Sequence, residues 1–436
     1  MRLKILFFSL LAGSCLPSVA HAQASIKNIL LDNDLSGYPP CEPSVAISFS
    51  NNDEIVAGAV LDKVYHSHDG GQTWEKQRLT SNYGVFGDPV VIADYRSNFY
   101  YFHLSDPSGK RWVDERILDR IVCQKSSDGG RTWDGGSFMG MNHPKDQDKE
   151  WAVASPYKNH IAAAWTQFDK YESREPGDSS NILFSLSPNG GKSWKDAVRI
   201  NEIAGNCLDD SQTAEGAIPA FGPGGEIYVA WSLNEKIYFD RSLNRGKTWL
   251  DKDIVAATQP GGWSFDIPGV NRCNGMPVLV CDNSDGDRRG TLYLNWSDQR
   301  SGTDDTDIWF ASSSDQGNTW TSPVRVNNDG PGKQQFFTWM AVDQTSGNIY
   351  IVFYDRRNYN DLRTDVYLAW STDGGKTFAN RNISETPFVP DKNLFLGDYN
   401  NIAAHDGRIC PVWTRMDEGR NSVWTAVISE TELTRP

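Results

Sequence analysis

A short motif that recurs six times constrains the fold of this chain more than any other feature. The pattern Ser-x-Asp-x-Gly-x-Thr-Trp occurs at 67–74, 126–133 and 313–320, and softer copies occur at 187–194, 242–249 and 371–378. Its Asp or Asn side chain can fold back onto the N–H groups of a tight turn, while its Gly supplies positive φ. Successive copies lie 55 to 71 residues apart, which is the size of a propeller blade when several strands fill each interval.

The segments between the motifs have the apolar patterns of short strands. In the first unit these are residues 43–49, 54–61 and the stretch from 64 to the motif. A seventh unit near 401–429 has no motif and lacks an outermost strand, which residues 25–31 could supply, removing a sheet edge. We therefore predict an all-β fold: a seven-bladed β-propeller of four-stranded antiparallel blades, with an N-terminal strand closing the last blade. A six-bladed propeller is the alternative.

The N-terminus has the composition of a signal peptide. Arg2 and Lys4 precede an apolar run at 5–12, and Ala20-His21-Ala22 fits a cleavage site. The run is too short to cross a membrane. We expect residues 1–22 to be removed near Ala22 and residues 23–436 to form a single propeller domain. The protein would then be secreted or periplasmic.

Charge and cysteine content exclude some partners and leave others open. The formal net charge is −14 and the chain has no basic run, which argues against nucleic acid or an anionic membrane as a partner. We expect a monomer. The cysteines beyond residue 22 match no metal-binding spacing. Cys207 and Cys273 both precede an inner strand and could pair in an exported protein.

Propeller geometry selects candidate site residues. Loops that enter the innermost strand and loops that leave the second strand lie on one face, around the central channel. The acidic and aromatic residues at the entries are Glu42, Asp88, Asp148, Glu150, Glu215, Asp398 and Tyr399. The polar residues at the exits include Asp62, His103, Asp298, Arg300, Asp355, Arg356, Arg357 and Arg415.

These residues predict an acidic glycan pocket that carries arginines. Arginines 300, 356 or 357, and 415 come from three consecutive blades, and a planar guanidinium suits a carboxylate. Trp151 and Trp339 add aromatic surface on which sugars stack, and His103 could act as a base. The other interpretation is that these arginines form structural ion pairs with Asp298 and Asp355. The ring of carboxylates could also hold Ca²⁺, although no metal ligands are assigned and no other cofactor is expected.

The six motifs resemble the Asp-boxes (BNR repeats) of the sialidase-like β-propellers. This resemblance covers the chain from about Glu42 to the C-terminus. It implies that the boxes are structural turns on the face opposite the active site. It also implies a Tyr nucleophile paired with a Glu, an Asp acid/base, and three arginines that hold a sialate carboxylate.

The family pattern can be placed on this chain only in part. Tyr399, in Gly397-Asp398-Tyr399-Asn400, would be the nucleophile beside Asp398, with Glu215 as its partner and Asp62 as the acid. The early Arg-Ile-Pro motif of the family is missing, and Cys41-Glu42-Pro43 stands in its place. Glu42 there would repel a carboxylate, which argues against a strict sialidase. A seventh blade is a further departure, because the known sialidases have six.

Two classes of function follow from this pattern. The first is an exported carbohydrate-active enzyme, a sialidase-like glycoside hydrolase that acts on a glycan at the central face. The second is a non-catalytic propeller that binds glycan or protein through the same face. A propeller-type polysaccharide lyase is a further alternative, in which His103 would serve as base.

Overall fold

The regular secondary structure of the described chain is almost entirely β-strand. A computed structural model describes residues 25–34, 37–156 and 158–433, so the predicted signal peptide at 1–22 lies outside the described residues. The strands form seven antiparallel sheets of four strands each, one of which has an additional short strand. The innermost strands of neighbouring sheets contact one another in a closed ring. The prediction of a seven-bladed all-β propeller is confirmed.

The strands follow one another in blade order. The chain begins with β1 (Ile29–Asp32). Blades one to three contain β2 (Ser44–Ile47), β3 (Ile55–Ala59), β4 (Lys63–Ser67), β5 (Glu75–Arg78); β6 (Val90–Ala93), β7 (Phe99–Leu104), β8 (Ile121–Ser126), β9 (Ser137–Met139); and β10 (Asp146–Ala154), β11 (Ile161–Phe168), β12 (Ser180–Ser187), β13 (Val198–Arg199). A 3₁₀ turn spans Arg111–Val113 between β7 and β8.

Blades four to seven continue the same order. Their strands are β14 (Glu215–Phe221), β15 (Ile227–Leu233), β16 (Lys236–Ser242), β17 (Ile254–Thr258); β18 (Val278–Cys281), β19 (Leu292–Asp298), β20 (Asp307–Ser313), β21 (Val324–Arg325); β22 (Gln335–Val342), β23 (Ile349–Asp355), β24 (Asp365–Ser371), β25 (Ala379–Asn382); and β26 (Asn401–His405), β27 (Arg408–Asp417), β28 (Arg420–Thr425), β29 (Ile428–Ser429). A short helix α1 (Glu430–Leu433) follows.

The N-terminal strand closes the ring. β1 pairs antiparallel with β28 and so becomes the outermost strand of blade seven, as predicted. Leu31 is buried among residues of blades one and seven. The Asp32 carboxylate accepts a hydrogen bond from the Tyr65 hydroxyl (3.0 Å) and pairs with Lys76 of blade one (3.3 Å). One short segment therefore joins the last blade to the first.

Each Asp-box is a hydrogen-bonded turn between the third and fourth strands of its blade. In the first box Asp69 Oδ1 accepts the Thr73 N–H at 2.9 Å, and Asp69 Oδ2 accepts the Thr73 hydroxyl at 2.6 Å. The Ser67 hydroxyl donates to Asp69 Oδ1 (2.9 Å) and accepts the Gly71 N–H (2.8 Å). Gly71 has φ +83°. The turn chemistry predicted from the motif is confirmed.

The aromatic residue that ends a box also joins neighbouring blades. Trp249 of blade four packs edge-on against Phe184 of blade three, at 4.8 Å between ring centroids. Trp320 makes the same contact with Phe239 of the preceding blade at 5.5 Å, and Phe378 continues the series. The main hydrophobic core lies between the blades in the same way, and its largest fully buried side chains are Trp165, Trp231, Trp296 and Trp413 of the second strands.

Candidate functional site

The strand order defines two faces of the propeller. Inner strands start on one face, here called the entry face, and end on the other, the box face, where the Asp-box turns lie. The inner strands line a central channel of about 470 Å³ whose residues include the strand ends near Phe49, Pro156 and His405 on the box face. Polar and charged residues predicted for the entries lie on the opposite side of this channel.

Lys149 lies at the centre of a buried charge cluster on the entry face. Its ammonium is 2.5 Å from Asp398 Oδ2, 3.1 Å from Asp88 Oδ2 and 3.9 Å from Glu42 Oε1. These carboxylates enter from blades seven, two and one, while Lys149 belongs to blade three. The Lys149 side chain is only 5% exposed, so the ion pairs are screened little by water.

Arg272 is the second cation of the cluster. It comes from the loop between β17 and β18 and forms a bidentate pair with Asp398, with Nε at 2.9 Å from Oδ1. Its Nη1 lies 2.6 Å from Asp209 Oδ2. Asp209 also accepts hydrogen bonds from Tyr171 (3.1 Å) and Trp263 (2.8 Å). Asp398 therefore holds both cations together and connects loops of blades three, four, five and seven.

The backbone at the blade entries is left-handed where it supplies these side chains. Glu42, Asp88 and Lys149 have φ of 52°, 49° and 49°. Residues other than Gly, Asn and Asp rarely take this conformation, and such strain concentrates at functional sites because surrounding contacts must maintain it. The pairing of β10 with β11 shifts register between Asp148 and Trp151, which is the bulge that carries Lys149. Equivalent positions of three blades thus direct charged residues to one point.

The protonation states of the cluster divide into two groups. Burial alone would raise the pKa of Asp398, but Arg272 and Lys149 overcome it and hold this pKa below its usual value. Burial, together with Asp88, raises the pKa of Asp148 to about 7. Burial and neighbouring carboxylates also raise the pKa values of Glu42, Glu150 and Glu215 well above normal. At neutral pH the cluster therefore contains both ionised carboxylates and carboxylic acids.

A pocket of about 370 Å³ opens over this cluster. Asp88, Asp148, Lys149 and Arg272 contribute to its lining. One oxygen of Asp148 accepts the Lys149 N–H at 2.8 Å, and its side chain is 8% exposed. The aromatic residues that line the pocket are Tyr38, Phe86, Trp112, Tyr171 and Phe395. Concave surface, aromatic walls and a few convergent charged groups are typical of a binding site for an organic ligand.

The pair predicted from the family pattern is not joined by a hydrogen bond. Tyr399 is buried, and its hydroxyl donates to the Pro89 carbonyl at 3.3 Å. Glu215 is fully buried, and neither of its carboxyl oxygens has a hydrogen-bond partner among the described residues. Asp62 pairs with Arg78 at 3.0 Å and does not line the pocket. Of the residues predicted to be catalytic, Asp398 is the one that belongs to the cluster, where it pairs with both Lys149 and Arg272.

The three predicted arginines do not converge. Arg300 pairs with Asp298 at 2.6 Å and lies over the Trp309 ring, while Arg415 pairs with Asp417 at 2.6 Å. Arg356 donates to the Pro268 carbonyl (2.7 Å) and to Thr364 Oγ1 (3.0 Å). None of the three lines the pocket, which instead has Arg111 and Arg272.

The remaining predicted residues are internal. Trp151 and Trp339 are in tilted contact at 4.1 Å between centroids, and both contact Tyr399. They line the central channel rather than the entry-face pocket. His103 is fully buried, with Nδ1 at 2.7 Å from the Leu104 carbonyl and Nε2 at 3.1 Å from Gln124 Oε1. Burial lowers its pKa to about 4.

Several residues of the pocket were missed by sequence reasoning. Lys149 stands within the stretch Asp148-Lys149-Glu150, so its place among entry carboxylates was a usable signal. Arg272, Asp209, Tyr171 and Trp112 lie in long irregular loops, where no periodicity indicates which side chains meet. The pairing that Cys207 and Cys273 could have formed is not present: the six described cysteines are free and buried.

Clusters of metal-binding side chains and membrane-spanning helices are both absent from the described part of the chain. No group of three or more His, Cys, Asp or Glu side chains among residues 25–34, 37–156 and 158–433 is arranged to hold a metal ion. Over the same residues, none of the helices has the length and hydropathy needed to cross a bilayer. The Ca²⁺ expectation stays a prediction.

The sequence is similar to that of known proteins over short stretches. The family model described as BNR/Asp-box repeat matches residues 65–76. A curated sialidase of Bacteroides fragilis is 25% identical over 169 residues, which cover 34% of this chain and 30% of that protein. The matched stretch is thus less than a third of the length of that relative.

Solved structures with similar coordinates include two glycosidases. The NanB sialidase of Streptococcus pneumoniae superposes with a TM-score of 0.51 at 11% identity, covering 81% of this chain and 70% of that one. The α-L-arabinofuranosidase Arb93A of Fusarium graminearum gives a TM-score of 0.49 at 12% identity, covering 94% and 99%. At such identities the similarity concerns the fold. In its repeats and its blades the chain is similar to the sialidase-like β-propellers that carry Asp-boxes (BNR repeats).

Proposed function

We propose that the protein is an exported glycoside hydrolase that cleaves a glycan in the entry-face pocket. The observation that carries this proposal is the pocket over the Lys149 cluster, where Asp148 and Asp88 line the same concave surface beside aromatic walls. Enzymes that hydrolyse glycosidic bonds generally need two carboxyl groups, one to protonate the leaving oxygen and one to act as base or nucleophile. The pocket supplies two such carboxyl groups, Asp148 and Asp88.

Asp148 is the acid of this proposal. Because burial raises its pKa to about 7, a large fraction of Asp148 is protonated at neutral pH and can donate to the leaving oxygen. Asp88 is the second carboxyl group, and it forms an ion pair with Lys149 at 3.1 Å. Arg272 and Lys149 fix Asp398, which in turn positions the Lys149 ammonium. The chain's own groups thus provide acid, base and a rigid support.

The test is hydrolysis of a polysaccharide panel by the purified protein and by Asp148→Asn and Asp88→Asn. The panel should contain neutral, uronic-acid, sialylated and arabinose-containing glycans. Loss of a carboxyl acid or base should lower kcat by roughly a hundredfold or more. Asp304→Asn is the matched control, because Asp304 is an exposed carboxylate in a loop of the same face and outside the pocket. Unchanged turnover in both Asp148→Asn and Asp88→Asn would reject this assignment.

The Tyr399 and Glu215 pair is the competing assignment. If Tyr399→Phe and Glu215→Gln abolish turnover while Asp148→Asn retains it, the chemistry belongs to the deeper pair and not to the pocket carboxyls.

An assay with a chelator tests the Ca²⁺ expectation. Activity that falls on chelation and returns with added Ca²⁺ would show that a cation is needed.

A non-catalytic glycan- or protein-binding propeller is the second candidate function. The observation that favours it is the pairing of Arg272, Arg300 and Arg415 with carboxylates, which leaves these cations occupied. In that case glycan binding would be measurable by calorimetry, and no member of the panel would be hydrolysed. The lyase alternative has less support, because both ring nitrogens of His103 are engaged inside the blade.

A further inference from the structure

Trp112 is an exposed aromatic residue whose position is not explained by packing of the core. It lies in the 3₁₀ turn Arg111–Val113, within the loop that connects β7 to β8 in blade two. Its side chain is 59% exposed, and it lines the entry-face pocket together with Asp88 and Asp148. The feature is therefore a candidate for ligand binding.

The loop that carries Trp112 is anchored at both ends. Asp119 accepts a hydrogen bond from the Ser105 hydroxyl at 2.8 Å and pairs with Arg120 at 2.6 Å. The Leu118 N–H donates to the Ser105 carbonyl at 3.0 Å, and Leu118 is buried in the core. These contacts close the loop at its base and present its middle to the entry face. An anchored loop presents a side chain at lower entropic cost than a free one.

The indole of Trp112 is held by two other rings. Tyr171 of blade three stacks on it at 5.9 Å between centroids with 22° between the planes, and Phe86 packs edge-on at 5.8 Å. The Tyr171 hydroxyl donates to Asp209, which pairs with Arg272. The orientation of Trp112 is thus connected by direct contacts to the Lys149 cluster. Tyr171 covers one face of the indole, and more than half of the side chain is open.

Trp112 shares the pocket with the proposed catalytic carboxyls. It lines the same cavity of about 370 Å³ as Asp88 and Asp148. Arg111, its neighbour, also lines that cavity, and its guanidinium makes no ion pair with any residue in the described part of the chain. A flat aromatic surface beside a free hydrogen-bond donor suits a sugar ring, which has an apolar C–H face and a rim of hydroxyl groups.

We propose that Trp112 is the stacking platform for a sugar ring that flanks the cleaved bond, with Arg111 donating to the hydroxyl groups of that ring. The ligand class is an oligosaccharide of at least two rings, one over Asp88 and Asp148 and the next on the indole. This inference rests on the proposed function for the identity of the ligand. It places the sugar-stacking surface in blade two. The sequence predicted sugar stacking on Trp151 and Trp339 instead, and these two side chains are buried.

The test measures binding and turnover separately. Calorimetric titration with cellohexaose, xylohexaose, arabinohexaose, chitohexaose and sialyllactose identifies the bound glycan, and the same titration is repeated on Asp148→Asn, Trp112→Ala, Trp112→Phe and Val113→Ala. Trp112→Ala should weaken binding by about tenfold or more, the equivalent of about 1.4 kcal/mol, while Trp112→Phe should stay within about threefold of the wild type. Val113 is 86% exposed, adjoins Trp112 and does not line the pocket, so Val113→Ala is the matched control.

The outcomes separate this inference from the proposed function. In turnover assays Trp112→Ala should raise KM with kcat changed by less than about twofold, because the platform binds ground state and transition state alike. Equal affinity in Trp112→Ala and wild type would overturn the platform even if Asp148→Asn is inactive. Binding that depends on Trp112 without hydrolysis of any glycan would support the platform and reject the hydrolase. Failure of all five probes to bind would reject both.

Discussion

Lys149 shows how much of the site depends on single buried charges. One ammonium is in contact with three carboxylates from three other blades, and Arg272 shares Asp398 with it. Removing Lys149 would leave Glu42 and Asp88 without their cation, and removing Arg272 would leave Asp209 without its cation. Because these carboxylates are mostly shielded from water, either loss should cost more than the loss of a surface ion pair. The carboxyls that receive no cation respond instead by taking up protons, as the raised pKa values of Asp148, Glu150 and Glu215 indicate. The net charge of the cluster therefore depends on pH.

The raised pKa of Asp148 predicts that folding stability falls with rising pH. In the unfolded chain an Asp has a pKa near 3.9, whereas folded Asp148 titrates at about 7. Between these values the folded state binds more protons than the unfolded state, so the free energy of unfolding decreases as pH rises through this window. Ionisation of Asp148 alone lowers the free energy of unfolding by at most about 4 kcal/mol above pH 7. The urea midpoint should be lower at pH 8 than at pH 5.

Asp148→Asn provides the check on that prediction. Because Asn cannot ionise, the variant should lose less stability between pH 5 and pH 8 than the wild type does. Asp304→Asn removes an exposed carboxylate and should follow the wild-type curve. Equal slopes for wild type and Asp148→Asn, measured by circular dichroism in urea, would show that Asp148 titrates normally.

At the scale of elements, the Asp-box is a joint between blades as well as a turn. Asp315 accepts hydrogen bonds from the Ser313 hydroxyl, the Thr319 N–H and the Thr319 hydroxyl, at 2.8, 2.9 and 2.6 Å. These bonds fix the turn that places Trp320 against Phe239 of the preceding blade. The boxes with Asn keep the same bonds: Asn244 accepts the Thr248 N–H and donates to its hydroxyl. The motif tolerates Asn because only the direction of one hydrogen bond changes.

The box at 313–320 yields a matched pair of variants. Asp315→Ala removes three hydrogen bonds and should lower the free energy of unfolding by roughly 1–3 kcal/mol. Asp315→Asn should cost less than about 1 kcal/mol, because the Asn boxes show a working arrangement. Chemical unfolding measures both, and the near-ultraviolet signal of Trp320 should change only in the Ala variant. Equal losses would mean that the carboxylate charge, and not the bonds, stabilises the turn.

At the scale of the molecule, the ring is closed by one four-residue strand. β1 pairs with β28, and its Asp32 contacts blade one, so the last blade is completed by the start of the chain. Without it β28 would have an open edge, which promotes association between chains. The inner strands meet in an unbroken ring, so opening at this point would affect the entry loops of blades one and seven, which carry Glu42 and Asp398.

Deletion of the closing strand should therefore weaken the whole propeller. A chain that begins at residue 34 should unfold at a temperature lower by several degrees and should form oligomers in light scattering, because the edge of blade seven is exposed. A chain that begins at Ser25 retains β1 and is the control. Monomeric behaviour and unchanged thermal unfolding in the shorter chain would contradict closure by this strand.

The sequence alone determined the architecture, because turns and strands depend on local chemistry. Six Ser-x-Asp/Asn-x-Gly motifs specify hairpins through bonds within eight residues, and alternating apolar runs specify the strands between them. The number of blades and closure by residues 25–31 followed from this pattern. Because the order of strands places the start of every inner strand on one face, entry residues such as Asp398 and Glu42 could also be located from the sequence.

Only the tertiary structure decided which of these side chains meet. Lys149 reaches carboxylates more than 50 residues away in either direction, Arg272 is 126 residues from Asp398, and Trp112 rests on Tyr171 of the next blade. Such contacts depend on the lengths and paths of irregular loops, in which no sequence period exists. They also depend on burial. Trp151 and Trp339, predicted to stack on sugars, are buried and line the central channel, whereas Trp112 is exposed.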